Sequence, residues 1–228
     1  MIGTGEREKL PDSDRRLSLF EQILEEIETR KQKDRAFVIG ITGIDCSGKS
    51  TFAESFKKFL TARGFDTQFI GIDDFHNPMA YRYAGDNQAE NYYNKSFNIT
   101  GIIDNLLVPI HNKDTFSIRL TLLNVITDRY EIEKEFSFNQ NTIVVFEGVF
   151  LFRKELSPYI DYKIFLDIPF EESKRRAMNR DIEASLKKYD EKYLPAQRKY
   201  LDEYPPGETV DMIIDNSDWE YPKIKLLR

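Results

Sequence analysis

A glycine-rich segment near the amino end of the chain constrains the fold more than any other feature. Residues 43–51 read G-I-D-C-S-G-K-S-T and match the pattern G-x-x-x-x-G-K-[ST] in full. They follow the apolar run 36–41 and precede a segment with helical periodicity. A strand that leads through a tight turn into a helix is the context that makes this short pattern a phosphate-binding loop.

The chemistry of this segment is that of a nucleoside triphosphate site. We expect Gly43 and Gly48 to adopt backbone angles closed to other residues, so that consecutive N–H groups converge on an anion. Lys49 would supply a mobile positive charge for the β- and γ-phosphates, and Ser50 a hydroxyl for magnesium. A simple connector would need neither. We predict contacts to ATP from Gly43, Ile44, Asp45, Cys46, Ser47, Gly48, Lys49, Ser50 and Thr51, although the sole cysteine, Cys46, carries no evident meaning of its own.

Composition and charge exclude several other classes of protein. Apolar residues make up 40% of the chain and charged residues 32%, as in globular proteins. No apolar stretch is as long as a membrane span, and the amino terminus lacks the apolar segment of a secretory signal. The single cysteine fits a reducing compartment, so we expect a cytoplasmic protein without a membrane partner. A net charge of −6 argues against nucleic acid as a partner, while a homo-oligomer stays open.

Apolar runs that alternate with helical patterns predict a doubly wound α/β fold. The runs 36–41, 68–72, 142–146, 162–166 and 210–214 have the character of buried parallel strands. Apolar residues recur at helical spacing over Leu17–Arg30, before the first strand. We predict one domain over residues 1–228, with an amino-terminal extension and helix at 1–34.

Two stretches depart from this alternation. Residues 75–141 mix aromatic and polar side chains and alternate between Phe116 and Phe138, so we interpret them as a substrate-binding insertion with a hairpin. Residues 175–200 are densely charged and helical in period, and we interpret them as a lid. Arg176 and Arg180 are predicted to close over ATP and balance its charge, although pairing with surface acids is equally open.

Two acidic residues follow apolar runs and are candidates for chemistry. Asp73 comes directly after the second run, where a carboxylate can accept the proton of an attacking hydroxyl. Alternatively, Asp73 and Asp74 would cap a loop or helix. Glu147 ends the third run, and a carboxylate at that place beside a phosphate loop suits magnesium. Asp73 and Lys49 are thus the predicted catalytic residues, and Ser50 and Glu147 the predicted metal ligands.

Taken in order, the phosphate loop, Asp73-Asp74-Phe75-His76, Glu147-Gly148 and Arg180-Asp181 resemble the motifs of the uridine kinase and phosphoribulokinase family. The resemblance implies a P-loop kinase fold with helices on both faces of a five-stranded parallel sheet, ordered 2-3-1-4-5, and a helical lid after the fourth strand. It implies ATP and Mg²⁺ as cofactors, a general base at Asp73, and a place for residues 210–216 near the adenine.

The segments that would recognise uridine depart from the family pattern. Residues 91–98 stand where the family carries F-D-H-P-D-A-F-D, and the acid expected to hold the ribose is missing. The segment 109–113 also lacks the family's tyrosine and aspartate. We therefore predict a small-molecule substrate that bears a hydroxyl, without support for uridine. Its predicted contacts are His76, Arg82, Tyr93 and His111, for which ordinary aromatic packing is the alternative.

An ATP-dependent kinase that phosphorylates a hydroxyl of a small metabolite explains these motifs best. The alternative is a nucleotide-binding sensor or regulator derived from such a kinase, with little turnover. A GTPase-type switch would carry an N-K-x-D segment, and Asn112-Lys113-Asp114 has the wrong spacing. The preference between ATP and GTP and the identity of the acceptor are left open.

Overall fold

The structure is a computed structural model and describes residues 12–31, 34–180 and 187–228, without the side chains of residues 12–15 and 180. Its first half contains α1 (Asp12–Arg30), β1 (Phe37–Gly43), α2 (Lys49–Ala62), β2 (Thr67–Gly71), a 3₁₀ turn (Ile72–Phe75), α3 (Met79–Arg82), α4 (Gln88–Lys95), and α5 (Ile99–Ile102), which continues through a π turn (Ile103–Leu107) into α6 (Val108–Asn112). Its second half contains β3 (Thr115–Asn124), β4 (Arg129–Asn139), β5 (Ile143–Glu147), a 3₁₀ turn (Ser157–Tyr159), β6 (Tyr162–Asp167), α7 (Phe170–Arg180), a π turn (Tyr189–Tyr193), α8 (Leu194–Glu203), α9 (Pro206–Thr209), β7 (Met212–Asp215) and β8 (Lys223–Leu227).

The central sheet contains six strands in the order β2-β5-β1-β6-β7-β8. The first five are parallel, and counted along the chain they follow the predicted order 2-3-1-4-5. The sixth, β8, is antiparallel to β7 and was absent from the prediction. Its residues alternate between exposed and half-buried and include Lys223 and Lys225, as is usual for an edge strand. A short alternating segment of this kind lacks the continuous apolar run used to recognise the other strands.

Helices cover both faces of this sheet, as predicted for a doubly wound fold. On one face α1 and α2 pack together, and the ring of Phe20 lies 5.2–5.4 Å from the rings of Phe52, Phe56 and Phe59. The other face is covered by apolar side chains of α4, α8 and the segment 97–110. All seven residues of β1 are buried between the two layers, which explains its continuous apolar run.

The predicted hairpin is confirmed. Strands β3 and β4 pair antiparallel and form a separate two-stranded sheet. Phe136 and Phe138 of β4 are buried against the main core, whereas the turn between the strands exposes Ile126. The backbone of Asp128 in that turn is left-handed, with φ of 55°.

The parallel strands bring several polar residues together at their carboxyl ends. Glu147 is in register with Gly71 of β2 and with Ile41 of β1, so β2 and β5 end at the same level and β1 continues two residues farther to Gly43. Ligands of open α/β sheets collect beyond the carboxyl ends of the strands.

Within the described residues, no helix is both long enough and apolar enough to cross a membrane.

Candidate active site

The phosphate loop connects the end of β1 at Gly43 to the start of α2 at Lys49. Gly48 has a φ of 87°, the left-handed conformation expected for it. Gly43 does not have a positive φ, so the requirement for glycine at this position has another cause. A Cβ at Gly43 would lie 2.6 Å from the carbonyl oxygen of Leu166 and 2.6 Å from Oγ of Ser47. The expectation of special backbone angles therefore holds for Gly48 and is wrong for Gly43, where close packing excludes a side chain.

Cys46 also has a left-handed backbone, with a φ of 59°. A residue with a side chain pays about 1–2 kcal/mol for this conformation, and such strain gathers at functional sites. The loop backbone is held from the carboxyl side of the sheet, because Asn216 donates from Nδ2 to the carbonyl of Ser47 at 2.6 Å. No role for Cys46 was evident from its residue type, although its backbone is part of the loop geometry.

Arg176 ties α7 to the phosphate loop. Its guanidinium donates to the carbonyls of Cys46 at 3.3 Å, Asn216 at 2.9 Å and Ser217 at 2.7 Å. Its Nε donates to Glu172 at 2.7 Å. The predicted arginine thus lies at the loop and fixes its backbone, with the guanidinium already engaged. The side chain of Arg180, the other predicted arginine, lies outside the described part of the chain, as do residues 181–186 of the predicted lid.

A cavity of about 410 Å³, here called the loop cavity, opens beside the phosphate loop and α7. Its walls include Gly48, Thr51, Arg176, Asn216, Arg16 and Trp219. The guanidinium of Arg16 lies 5.9 Å from the Trp219 ring centroid. Trp219 was missed from the sequence, although it is the single tryptophan and closely follows the segment 210–216 predicted to lie near the adenine.

A second cavity of about 610 Å³, here called the central cleft, lies on the other side of the loop. Lys49, Ser50 and Asp73 line it, together with His76, Arg82 and Lys192. The structure therefore brings the two predicted catalytic residues, Lys49 and Asp73, into one cavity. Cys46 borders both cavities, so the phosphate loop separates them.

The two predicted metal ligands are in direct contact. Ser50 donates from Oγ to Oε1 of Glu147 at 3.2 Å, and only 5% of Glu147 is exposed. Burial raises the pKa of Glu147, an effect that Lys49 opposes and Asp73 reinforces. A buried carboxylate whose charged form is disfavoured gains from a nearby cation, and Mg²⁺ prefers oxygen ligands. The hydroxyl and carboxylate thus have the chemistry that would be needed to hold a magnesium ion.

The adjacent aspartates Asp73 and Asp74 have different surroundings. Asp74 pairs with Lys134 of β4, whereas Asp73 lines the central cleft. Both lie in the 3₁₀ turn that follows β2. The alternative that both carboxylates act only as caps is therefore not favoured, since each has a different side-chain environment.

His76 lies at the wall of the central cleft, beside Asp73. Its Nδ1 is 2.6 Å from the carbonyl oxygen of Asp73, and because a carbonyl can only accept, Nδ1 carries the proton. Burial lowers the pKa of His76, so the neutral ring is favoured and Nε2 remains an acceptor. The ring packs on Phe97 with centroids 4.9 Å apart. The structure thus places His76 in the wall of the same cavity as Asp73 and Lys49.

Two of the predicted substrate residues do not reach the central cleft. Tyr93 is 6% exposed and donates from its hydroxyl to Glu203 at 2.6 Å. Its neighbour Tyr92 lines the cleft instead and donates to Asp45 at 3.1 Å. Successive residues of a helix point about 100° apart, so one position in α4 decides which tyrosine faces the cleft. The predicted Tyr93 therefore does not line the central cleft, whereas its neighbour Tyr92 does.

His111 lies near the amino ends of the strands, on the side of the sheet away from the cleft. Nδ1 of its ring is 3.1 Å from the carbonyl of Leu107, and burial lowers its pKa with a further contribution from Arg35. Arg35 pairs with Asp161 just before β1 and β6 begin, at the amino ends of those strands. The helices α5 and α6 have carried the chain away from the cleft by this point. The prediction that His111 binds substrate is therefore wrong.

Other residues of the central cleft were missed from the sequence. The π turn that precedes α8 supplies three of them, namely Tyr189, Lys192 and Tyr193. Asp45 also faces this cleft, where its carboxylate accepts from Gln197 at 2.8 Å. The dense charge of residues 175–200 concealed these side chains, because exposed helices have the same composition.

The chain is similar to a family of known proteins. Residues 38–191 match the model of the "Phosphoribulokinase / Uridine kinase family", a stretch that includes the phosphate loop, Asp73 and Glu147. A curated relative, uridine-cytidine kinase B of Dictyostelium discoideum, is 25% identical over 186 residues, which cover 78% of this chain and 74% of that protein. Uridine kinase of Proteus mirabilis is 23% identical over 202 residues, which cover 84% of this chain and 92% of that protein.

Solved structures show the same fold. A possible uridine kinase from Bacillus stearothermophilus superposes with a TM-score of 0.67 at 22% sequence identity. The match covers 88% of this chain and 97% of that one. At this identity the likeness concerns the fold, which is that of P-loop kinases.

Proposed function

We propose that this chain, which belongs to the phosphoribulokinase / uridine kinase family, transfers the γ-phosphate of ATP to a hydroxyl of a small metabolite. Membership of the family makes the chain a phosphotransferase with an alcohol group as acceptor. The observation that carries the proposal is the presence of Lys49 and Asp73 in one cleft beside the contact between Ser50 and Glu147. Phosphoryl transfer needs a held nucleotide, a placed metal and an aligned hydroxyl, and these residues supply one group for each.

We assign the nucleotide to the phosphate loop and the loop cavity. The N–H groups of residues 43–51 and the positive end of α2 would hold the phosphates. Trp219 and the Arg16 guanidinium flank a space beside the loop where a purine ring can stack. Ser50 and Glu147 would hold Mg²⁺, which supplies charge neutralisation at the phosphates when it is bound.

The acceptor would enter the central cleft with its hydroxyl between Asp73 and the γ-phosphate. Asp73 accepts the hydroxyl proton as the oxygen forms a bond to the γ-phosphorus, and the bond to the β-phosphate oxygen breaks to leave ADP. Lys49 stabilises the negative charge on the transferred group and on the leaving oxygens. Arg176 is assigned a positioning role, because its guanidinium is engaged by the loop carbonyls.

The alternative of a nucleotide sensor with little turnover is not favoured by the comparisons. Both curated relatives are named as kinases, and the matches cover 74% and 92% of their lengths. A kinase also explains a carboxylate at Asp73 that lines the cleft, for which a sensor has no use. A cytoplasmic location, a homo-oligomer and the absence of nucleic-acid partners stay predictions from the sequence.

Replacement of Asp73 tests the proposed function. We expect Asp73→Asn to lower kcat by about 10³-fold, within the range of general-base catalysis, while ATP affinity stays close to that of the wild type. Asp74→Asn is the matched control, because Asp74 pairs with Lys134 outside the cleft and should change kcat by less than about threefold. ADP formation would be measured with a panel of nucleosides, sugar phosphates, pantothenate and glycerate. Slow hydrolysis that no acceptor stimulates would contradict the kinase and favour the sensor.

A further inference from the structure

The central cleft has a positive end formed by two side chains that are far apart in the sequence. Arg82 ends α3, and Lys192 belongs to the π turn before α8, yet both line the same cavity. Neither residue takes part in the phosphoryl transfer assigned above. Their presence in the acceptor side of the cleft needs its own explanation.

Lys192 is surrounded by tyrosine rings. Its Nζ lies 5.3 Å from the ring centroid of Tyr83 and 5.1 Å from those of Tyr92 and Tyr193. Partial burial lowers its pKa, with further lowering by Arg82 and Lys188 and opposition from Asp45. Cation–π contacts offset only part of the cost of such a position. Bound anions would offset the rest, and π turns often occur at functional sites.

Arg82 is poorly neutralised for a side chain that is only 12% exposed. Within the described part of the chain, its ion-pair partner is Asp128 of the hairpin turn, which is 3.8 Å away and beyond hydrogen-bond distance. The same Asp128 oxygen accepts a hydrogen bond from the backbone N–H of Met79 at 2.8 Å, so it is already bound to the first residue of α3. Among the residues that the structure describes, none is a hydrogen-bond partner of the buried Nε of Arg82. Buried donors without partners are uncommon in native proteins, so the polar contacts of this guanidinium are incomplete within the described residues.

The negative groups of the cleft lie elsewhere or are already engaged. The Asp45 carboxylate accepts from the Tyr92 hydroxyl at 3.1 Å and from Gln197 at 2.8 Å. Glu147 interacts electrostatically with Lys49 and Asp73 at the phosphate end. Burial lowers the pKa of His76, Asp73 raises it, and Arg82 and Lys192 lower it further, so this ring is within reach of both groups of charges. The cleft therefore contains two groups of interacting charges, Asp73 with Lys49 and Glu147, and Arg82 with Lys192.

We propose that the acceptor carries an acidic group, a carboxylate or a phosphate, which Arg82 and Lys192 bind while Asp73 takes the proton of the acceptor hydroxyl. The proposal rests on the proposed function, since it concerns the second substrate of the same reaction. Arginine forms paired hydrogen bonds with both kinds of acid through its planar fork of N–H donors, and lysine adds a mobile positive charge. A neutral nucleoside would leave Arg82 with only the distant Asp128 carboxylate at 3.8 Å and Lys192 among its tyrosine rings.

Matched pairs of acceptors test this proposal. ADP formation would be measured with D-glycerate against glycerol, pantothenate against pantothenyl alcohol, and ribose 5-phosphate against ribose, with uridine as a neutral nucleoside. We expect turnover with at least one acid and at least about 100-fold lower kcat/KM with its neutral partner, the upper effect of a charged hydrogen-bonding pair. The pair that responds also distinguishes a carboxylate from a phosphate. Turnover with neutral acceptors alone would overturn the acidic acceptor and leave the kinase standing, whereas no turnover with any of them would count against both.

Two variants test the named side chains with the responding acid. Arg82→Gln and Lys192→Gln should each raise its KM about 30-fold with kcat changed less than about threefold, because they remove a charged contact of bound acceptor. Lys187→Gln is the control, an exposed lysine just before the same π turn, and should change neither constant. ATP affinity in all three variants should equal that of the wild type, which shows that they are folded. An unchanged KM in both cleft variants would overturn the proposal.

Discussion

The two sides of the phosphate loop are built in different ways. The nucleotide side uses backbone groups of one continuous segment, residues 43–51, and the carbonyls of that segment are fixed by Asn216 and Arg176. The acceptor side uses side chains from α3, α4, the hairpin turn and the π turn before α8. A backbone site requires particular residues at fixed spacing, whereas a side-chain site can be assembled from many combinations. The first kind of site can be read from sequence and tolerates little change, and the second kind can vary with the substrate.

A large effect on the metal requirement is expected at Glu147, which belongs to the nucleotide side. Glu147→Gln keeps the shape of a 5%-exposed side chain but removes the charge proposed to hold Mg²⁺. We expect the Mg²⁺ concentration for half-maximal activity to rise about 100-fold, as is typical when a group around a metal is lost. Activity would be titrated with Mg²⁺ at saturating ATP. An unchanged requirement would remove Glu147 from the metal site.

The pH dependence of this requirement provides the control for Glu147. Its carboxylate binds a metal only when ionised, and burial raises its pKa. As pH falls toward that raised pKa, protons compete with Mg²⁺ and the wild-type requirement should increase. The Glu147→Gln variant has no such proton to bind, so its requirement should stay flat over the same range. A parallel increase in both proteins would assign the titration to another group.

A smaller effect is expected from backbone strain in the phosphate loop. Gly48 and Gly64 both have left-handed backbones, with φ of 87° and 84°, but a Cβ at Gly48 would lie 2.7 Å from Nδ2 of Asn216 while one at Gly64 meets nothing within 4 Å. Gly48→Ala should lose about 2–3 kcal/mol of unfolding free energy, from the strain and the displaced Asn216 bond, against about 1 kcal/mol for Gly64→Ala. Denaturant unfolding measures both.

ATP affinity separates the two glycine variants further. Gly48→Ala should weaken ATP binding about tenfold, because it moves a loop whose N–H groups hold the phosphates. Gly64→Ala, at the far end of α2, should leave the affinity unchanged. Equal losses of affinity would show that the loop adapts to a side chain at residue 48, and the contrast between a strict nucleotide side and a tolerant acceptor side would fail.

The same contrast explains how much of the molecule could be predicted from its sequence. The parallel strands and the loop were predictable because buried strands require continuous apolar runs and a phosphate loop requires Gly48 and Lys49. Strand β8 was not, because its alternating pattern is that of many exposed segments. Lys192 was hidden for a related reason, since a lysine in a charged helical stretch gives no sign that three tyrosines surround it.

Errors on the acceptor side came from geometry that periodicity does not resolve. Tyr92 and Tyr93 are adjacent aromatic residues of one short helix, and only the tertiary packing decides which of them faces the cleft. His111 has the right chemistry but lies beyond two helices that lead the chain to the amino ends of the strands. Residue type was sufficient to identify candidates here, and the path of the chain decided between them.

The adjacent tyrosines also provide the smallest and most direct test of this correction. Tyr92→Phe removes the hydroxyl that donates to Asp45 at 3.1 Å, while Gln197 still donates to the same carboxylate at 2.8 Å. We expect the KM for the acceptor to rise about threefold to fivefold, the effect of one hydrogen bond, with ATP affinity unchanged. Tyr93→Phe removes the bond to Glu203 at 2.6 Å outside the cleft, so it should cost about 1 kcal/mol of stability and leave the acceptor KM alone. The reverse result, a raised KM in Tyr93→Phe only, would reinstate the choice made from sequence and place the acceptor on the other face of α4.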